Sequence, residues 1–322
     1  MKIAILGATG AVGQQMMKCL IEQEIPVTTL KLLASAKSVG KKYSFQGKEI
    51  CVEEANESSF EGMDIVLGAV ESDMAKKFAP FIKKAGAVFI DNSSAFRLEE
   101  KVPLVIPEIN GEDAKHHQGI IANPNCSTII ALMSIYAVDK LSKITDIIAS
   151  TYQAVSGAGN NGIYELEEQI LALLKEKKIT PKVFSHQIAY NCIPKISDTL
   201  ENGFTAEEMK MQDEGRKILH NPNLKVTCTC IRVPVMRSHS ISLSFRTEKK
   251  LSMEEITNAI QNSKGVRLVE LPMPLSTSEQ DIVEVGRIRQ DDVINGYALW
   301  CCGDQIRKGA AANAVQIIKC LF

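Results

Sequence analysis

Apolar positions follow two periods along this chain, and the first element is a strand-like run, Ile3-Ala4-Ile5-Leu6, that opens into Gly7-Ala8-Thr9-Gly10-Ala11-Val12-Gly13. Behind the glycines the period becomes helical, with Val12, Met16 and Leu20 on one face. The exchange then repeats: strands are expected over 28–34, 64–67, 87–90 and 119–122, with a helix over 72–84. Such βα alternation predicts an α/β fold whose N-terminal part is a Rossmann-like, doubly wound parallel sheet. Pro124 should stop the last of these strands, and Ile129-Ile130-Ala131-Leu132-Met133 reads as the start of a buried helix. Cys126 then falls at a strand-to-helix junction.

From about residue 144 the pattern changes. A strand over 147–152 is followed by the loop Gln153-Ala154-Val155-Ser156-Gly157-Ala158-Gly159, then by a long amphipathic helix with Ile163, Leu166, Ile170, Leu173 and Leu174 on one face. Two antiparallel-looking strands, 225–235 and 240–246, come later, and Ile241, Leu243 and Phe245 alternate strictly in the second. This mixture predicts an α+β second domain, and 307–322 looks helical again. The 322 residues exceed one ordinary core, so two domains are expected. No internal repeat or low-complexity segment interrupts them.

Composition narrows the function. With 45% hydrophobic and 23% charged residues the chain is of ordinary globular type, and a net charge of −1 argues against nucleic acid or an anionic membrane as a bulk partner. No apolar run approaches membrane-spanning length, and the opening residues lack a secretory pattern, so a cytoplasmic location is expected. Nine cysteines, an odd number spread over the whole length, suggest reduced thiols. Cys228-Thr229-Cys230 and Cys301-Cys302 lack the spacing of a zinc site and lie in strand-like runs, so strand packing is expected of them and no metal.

The glycine loop, straight after a strand and opening a helix, suits a dinucleotide, because glycines let the backbone approach a pyrophosphate held at the helix N-terminus. Where an acidic residue would bind the ribose of NAD, the chain reads Ala34-Ser35-Ala36-Lys37-Ser38, with hydroxyls and a lysine suited to the 2′-phosphate of NADP. Two readings stand open for Cys126: a buried structural thiol, or a nucleophile whose thiolate the helix N-terminus favours. Arg97 follows a strand end and is a candidate anion ligand. His239 opens the alternating strand beside Arg232 and Arg237, which suits an anionic substrate and a base within reach, although a surface turn would read the same. His116 and His117, in a polar run, are assigned to the surface. A cysteine nucleophile with a nicotinamide cofactor points to aldehyde oxidation through a thioester.

The glycine loop, Asn123-Pro124-Asn125-Cys126-Ser127-Thr128, Gln153 through Gly159, Arg232 through His239, and Asp304-Gln305-Ile306-Arg307-Lys308-Gly309-Ala310-Ala311 together resemble the aspartate-β-semialdehyde dehydrogenases, nearly end to end. The resemblance implies NADP-dependent, phosphate-requiring interconversion of aspartate semialdehyde and aspartyl phosphate, on the route to lysine, methionine and threonine. It makes Cys126 the nucleophile that forms a thioacyl intermediate and His239 the general acid/base. Gln153 would orient the substrate, Arg232 would hold its carboxylate and Glu207 its ammonium group, while Arg97, Asn125 and Lys210 resemble the phosphate set. The run Glu207-Glu208-Met209-Lys210 reads equally as a solvated helix face.

The cofactor set implied is Gly7, Thr9, Gly10, Ala11, Val12, Gly13, Ser35, Lys37, Ser38 and Gln305. Lys37 stands where the family usually has arginine, Gln305 where it has asparagine, and Glu71 brings a negative charge into a loop that many members keep neutral. The resemblance further implies a discontinuous NADP-binding domain, 1–126 with 305–322, and a catalytic and dimerisation domain, 127–304. A homodimer or a dimer of dimers would result. N-acetyl-γ-glutamyl-phosphate reductase is the nearest alternative; its acylated amine would leave Glu207 without a role. A non-catalytic NADP-binding redox sensor is an alternative of another class, and it needs no arginine and histidine around the thiol.

Overall fold

Strand β1 (Lys2–Leu6) is central to the first of two units into which the chain divides, Met1–Asn125 with Ala310–Phe322, and Cys126–Gly309. A computed structural model describes all of residues 1–322. The first unit continues with α1 (Ala11–Glu22), β2 (Thr29–Ala34), β3 (Lys42–Phe45), β4 (Lys48–Glu54), β5 (Ile65–Gly68), α2 (Ser72–Lys84), β6 (Val88–Asp91), α3 (Pro107–Asn110) and β7 (Ile120–Ala122). Its seven-stranded sheet runs β3-β4-β2-β1-β5-β6-β7, parallel throughout except for the β3–β4 hairpin. Alternate residues of the strands, Ile3 and Ile5, Leu32, Ile65 and Leu67, Ile90 and Ile121, form one core with Met16 and Leu20 of α1 and with Val315 and Ile318 of the last helix, Ala312–Lys319. Helix α2 packs on β6 outside that cluster, where Phe60 and Phe78 meet edge to face. The sheet is thus doubly wound, with its strand ends free to carry ligand loops.

The β3–β4 hairpin escaped the sequence pattern. Charged residues dominate its exposed edge positions, and its two-residue turn has positive φ at both Gln46 (49°) and Gly47 (77°), as a hairpin twisted in the usual sense requires.

The second unit contains α4 (Cys126–Leu141), β8 (Ile144–Gln153), α5 (Gly159–Leu174), α6 (Ala206–Ile218), β9 (Lys225–Arg232), β10 (His239–Thr247), α7 (Met253–Gln261), β11 (Val266–Leu268), α8 (Pro274–Thr277), β12 (Val283–Asp291) and β13 (Gly296–Gly303). The sheet order is β11-β12-β13-β10-β8-β9. Helix α4 packs on β8, β10, β12 and β13 and is buried around nearly its whole circumference from Ser127 to Ile135, as an all-round apolar helix must be. One expectation is corrected: β9 and β10 are not an antiparallel pair. Strand β9 ends at Arg232 and runs parallel to β8, while β10 pairs antiparallel with the other side of β8. Pro234 has no N–H for the ladder, so the chain leaves the sheet there and crosses the end of β8 before re-entering at His239.

Candidate active site

That crossing gathers three side chains. In the parallel ladder Arg232 is the partner of Gln153, and the antiparallel register, in which Ser240 pairs with Tyr152, sets His239 opposite Gln153 from the other side. All three continue the inward rows of their strands, Cys228 and Cys230 before Arg232, Ala149 and Thr151 before Gln153, and His239 before Ile241 and Leu243, so the pleat aims them at the buried face. They are correspondingly buried, His239 fully, Gln153 at 2% and Arg232 at 8% exposure.

Hydrogen bonds fix the group. Arg232 Nη1 donates to the Ala154 carbonyl at 2.7 Å, and the Ala154 N–H donates to His239 Nδ1 at 3.1 Å. Gln153 Nε2 donates to Ser127 Oγ at 3.0 Å and to Glu207 Oε1 at 3.3 Å. Glu207 in turn accepts from Lys210 Nζ at 2.7 Å. The solvated-face reading of Glu207 is therefore corrected, since the carboxylate is only 9% exposed and faces Gln153. Its helix begins with a capping box, Thr205 and Glu208 exchanging bonds with each other's backbone, which sets the first turn of α6 against β9, where Glu208 also accepts from Cys230 N–H.

Cys126 is the first residue of α4, half-buried, where helix N–H groups and the positive dipole end favour a thiolate. Burial lowers the pKa of Arg232, and the nearby Cys126 and Glu207 charges oppose that shift. A Cβ on Gly309 would come within 2.8 Å of Cys126 Cβ, so the loop before the last helix closes on the thiol only because that residue is glycine. Burial, reinforced by the Arg232 charge and opposed by Glu207, pushes His239 down to about 3, so the imidazole is neutral.

Gln305, expected in the cofactor set, uses both amide ends inside the second unit: Oε1 accepts the Ser238 N–H at 2.8 Å and Nε2 bonds Ser156 Oγ. Ser238 has φ 73°, and the Gln305 bond helps hold this left-handed residue immediately before His239.

In the first unit Gly7 has φ +89°, and a Cβ there would lie 2.3 Å from Ala69 O; one on Gly13 would lie 2.3 Å from Gly7 O. Glycine is the only residue that fits either place, and the turn leaves the α1 N-terminus open to an anion. Ala11 and Val12 begin that helix, Val12 packing on the core, while Gly10 is its extended N-cap. Thr9 Oγ1 and Ser38 Oγ are 3.5 Å apart, bringing the glycine loop to the end of β2, where Ser35 and Lys37 are exposed. Glu71 is exposed at the start of α2. Arg97, 8% exposed, donates to the carbonyls of Asn123 (2.9 Å) and Asn92 (2.8 Å), and Asn125 is buried. His117 is half-buried, its Nδ1 accepting from Gly119 N–H at 3.0 Å; only His116 is exposed as expected.

Comparison with known proteins agrees with this arrangement. Residues 2–117 match the NAD-binding domain model of the semialdehyde dehydrogenases, and residues 137–308 match their dimerisation domain model. An aspartate-semialdehyde dehydrogenase of Synechocystis sp. is 45% identical over 99% of this chain and 97% of its own length. One from Aquifex aeolicus is 46% identical, with the same coverage. The chain belongs to the aspartate-semialdehyde dehydrogenase family. A solved structure of aspartate semialdehyde dehydrogenase II from Vibrio cholerae, complexed with ASA, matches with a TM-score of 0.97 and 41% identity over 99% of this chain and 97% of that one. Neither alternative, the acetylglutamyl phosphate reductase or the redox sensor, is favoured by these relatives. The family domain that spans the glycine loop binds a nicotinamide cofactor, and no helix is long and apolar enough to cross a membrane.

Some site features of this family member lay outside the sequence reading. Asp304, fully buried, accepts from Arg237 Nε at 2.6 Å and from the N–H groups of Ile306 and Arg307, fixing the loop that packs on Cys126. Glu165 of α5 accepts from the N–H groups of Lys182, Val183 and Phe184, and so places the Phe184 ring 5.8 Å from the Arg232 guanidinium. The motif Asp304 to Ala311 pointed to the first; nothing local pointed to the second, whose partners are some twenty residues apart.

Proposed function

We propose that this protein catalyses the NADP-dependent, phosphate-requiring interconversion of L-aspartate 4-semialdehyde and L-4-aspartyl phosphate. The observation that carries this reading is the convergence of Arg232, His239 and Gln153 at three adjacent strand positions, with Glu207 bonded to Gln153, in the unit whose first residue is Cys126. An amino-acid aldehyde offers one carboxylate and one ammonium group, and the buried Arg232 and Glu207 supply one charge of each complementary sign. Gln153, bonded to Glu207 and Ser127, orients the substrate between them.

The Cys126 thiolate adds to the aldehyde carbon, and the charge that develops on oxygen meets His239. A bound nicotinamide would supply the acceptor for the hydride that the adduct loses on becoming a thioester. Phosphate then attacks the thioester carbon and releases the thiolate, and Arg97, Asn125 and Lys210 are the residues assigned to that anion. The glycine turn, whose close backbone approaches leave no room for a Cβ at Gly7 (against Ala69 O) or Gly13 (against Gly7 O), would hold the cofactor. The exposed Lys37, with Ser35 and Ser38 and no carboxylate among them, favours the 2′-phosphate of NADP. Gly7, Thr9, Gly10, Ala11, Val12 and Gly13 would hold the pyrophosphate, and Gln305 acts by holding Ser156 and Ser238 in place.

The discontinuous first unit is the NADP-binding domain and the second the catalytic and dimerisation domain. A homodimer, or a dimer of such dimers, fits the outward face of the second sheet, where Ile148 is 45% exposed and the tilted rings of Tyr152 and Trp300 lie 5.2 Å apart. Nine free thiols suit the reducing cytoplasm.

The test is NADPH formation with aspartate semialdehyde, with and without phosphate, beside N-acetylglutamate semialdehyde. Phosphate-dependent turnover of the first substrate alone is expected. Preference for the acetylated substrate would overturn the assignment.

A further inference from the structure

We propose that Asn123 and Asn313 are positioning residues for the phosphate step, their joined side-chain amides holding the main-chain carbonyl that orients Arg97. This rests on the function proposed above and gives a role within it to two residues assigned to no ligand.

Asn123 opens the motif that leads to Cys126, and Asn313 is the second residue of the last helix; both are fully buried. A buried primary amide is costly unless its N–H groups and its oxygen are bonded. Asn313 Nδ2 donates to Asn123 Oδ1 at 2.7 Å and to the Val105 carbonyl at 2.9 Å. The Val105 oxygen can only accept, so it fixes which end of the Asn313 amide is the donor, and Asn123 must meet that donor with its oxygen. Asn123 Nδ2 is thereby turned to the Pro124 carbonyl, at 3.4 Å.

The main chain of Asn123 is engaged on both sides as well. Its N–H donates to the carbonyl of Asp91, the last residue of β6, at 2.7 Å, and its own carbonyl accepts from Arg97 Nε at 2.9 Å. Arg97 Nη2 reaches the Asn92 carbonyl at 2.8 Å. Two neutral carbonyls thus set the plane of the guanidinium without cancelling its charge, which an anion ligand must keep. Asp91, the neighbouring carboxylate, accepts from the Ser93 hydroxyl at 2.6 Å and from the Ser93 N–H at 3.1 Å; burial raises its pKa, and those bonds and the Arg97 charge oppose the rise.

Pro124 carries the constraint onward. Its ring fixes its own φ and confines the residue before it to extended backbone, so Asn125, also assigned to phosphate, has little slack relative to Asn123. Fastening the last helix to the sheet needs only the Val105 bond. The bond to Asn123 ties that helix to the residue whose carbonyl holds Arg97 Nε.

Steady-state kinetics with phosphate, aspartate semialdehyde and NADP varied in turn test the pair in Asn313→Ala, Asn123→Ala and the double variant. Each should raise the phosphate KM by about tenfold or more, while the other two KM values stay within about threefold of wild type. The double variant should be no worse than the worse single one, because the two amides act together. Circular dichroism establishes folding; Asn313→Asp, which keeps the shape of the side chain and removes both amide donors, replaces an alanine variant that does not fold, with the same expected loss. A second readout needs no turnover. Inorganic phosphate, by binding the folded state, should raise the urea midpoint of wild type and raise that of the variants less at the same concentration. Equal loss in all three KM values, or lowered stability with the phosphate KM unmoved, leaves the pair as a fastening of the helix and overturns the proposal. Wild-type turnover that ignores phosphate would instead defeat the function proposed above, and the role of the pair with it.

Discussion

Arg232 donates to the carbonyl oxygen of the same residue, Ala154, whose N–H meets His239, so one peptide group fixes both the guanidinium and the imidazole. Lysine at position 232 keeps a positive charge but loses the planar fork that reaches Ala154 and, in the proposed function, a substrate carboxylate together, as well as its place beside the Phe184 ring. Arg232→Lys should therefore lower kcat/KM for aspartate semialdehyde by about tenfold or more, chiefly through KM. Steady-state kinetics, with circular dichroism to establish folding, checks this. An unchanged KM would remove Arg232 from substrate binding.

Gly13→Ala introduces a Cβ 2.3 Å from the Gly7 carbonyl oxygen, so the glycine loop must move. NADPH affinity, followed by the quench or enhancement of reduced nicotinamide fluorescence, should fall by about tenfold or more, since the proposed pyrophosphate site is built from that backbone.

Gln305→Ala removes the acceptor of the Ser238 N–H and the partner of Ser156 Oγ in a buried site. Leaving a buried donor unsatisfied costs about 1–3 kcal/mol. The urea midpoint should shift down accordingly, and NADPH affinity should change little. The reverse pattern, weak cofactor binding with stability kept, would return Gln305 to direct contact with the cofactor.

His239 titrates at about 3 in the folded protein, depressed by burial and then by Arg232. In the unfolded chain a histidine binds its proton near about pH 6.5. Between those values the unfolded state holds more protons, so this residue contributes stability in full above about pH 6.5 and loses it as pH falls toward about 3. On going from about pH 7 to about pH 4.5, wild type should lose roughly 1–3 kcal/mol more than His239→Gln, in which that titration is absent. Paired urea titrations at the two pH values measure the difference.

Much of the fold was legible because its periods are clean. The alternation of β1, β2, β5, β6 and β7 with helices gives the parallel sheet, and the return of the last helix to that unit was implied only by the family resemblance. Where reading failed, the determinants were not periodic. The β3–β4 hairpin has an exposed, charged edge, and the partner of β9 depends on a crossover that only Pro234 hints at. In the candidate site, Cys126, Arg232 and His239 stood in recognisable motifs. Their geometry was not visible, because Ala154 acts through its main chain, which leaves no trace in side-chain identity. Glu207 looked like surface because its neighbours Glu208 and Lys210 are charged, yet one of them caps the helix and the other pairs with Glu207 itself.

The central claim is that Cys126 becomes acylated. Rapid-quench mass spectrometry of the enzyme, incubated with aspartate semialdehyde and NADP in the absence of phosphate, tests it most directly, followed by peptide mapping across all nine cysteines. The expected result is one aspartyl adduct, confined to the peptide bearing Cys126, discharged on adding phosphate and absent from Cys126→Ala. An adduct on another cysteine, or continued turnover in Cys126→Ala, would contradict the account.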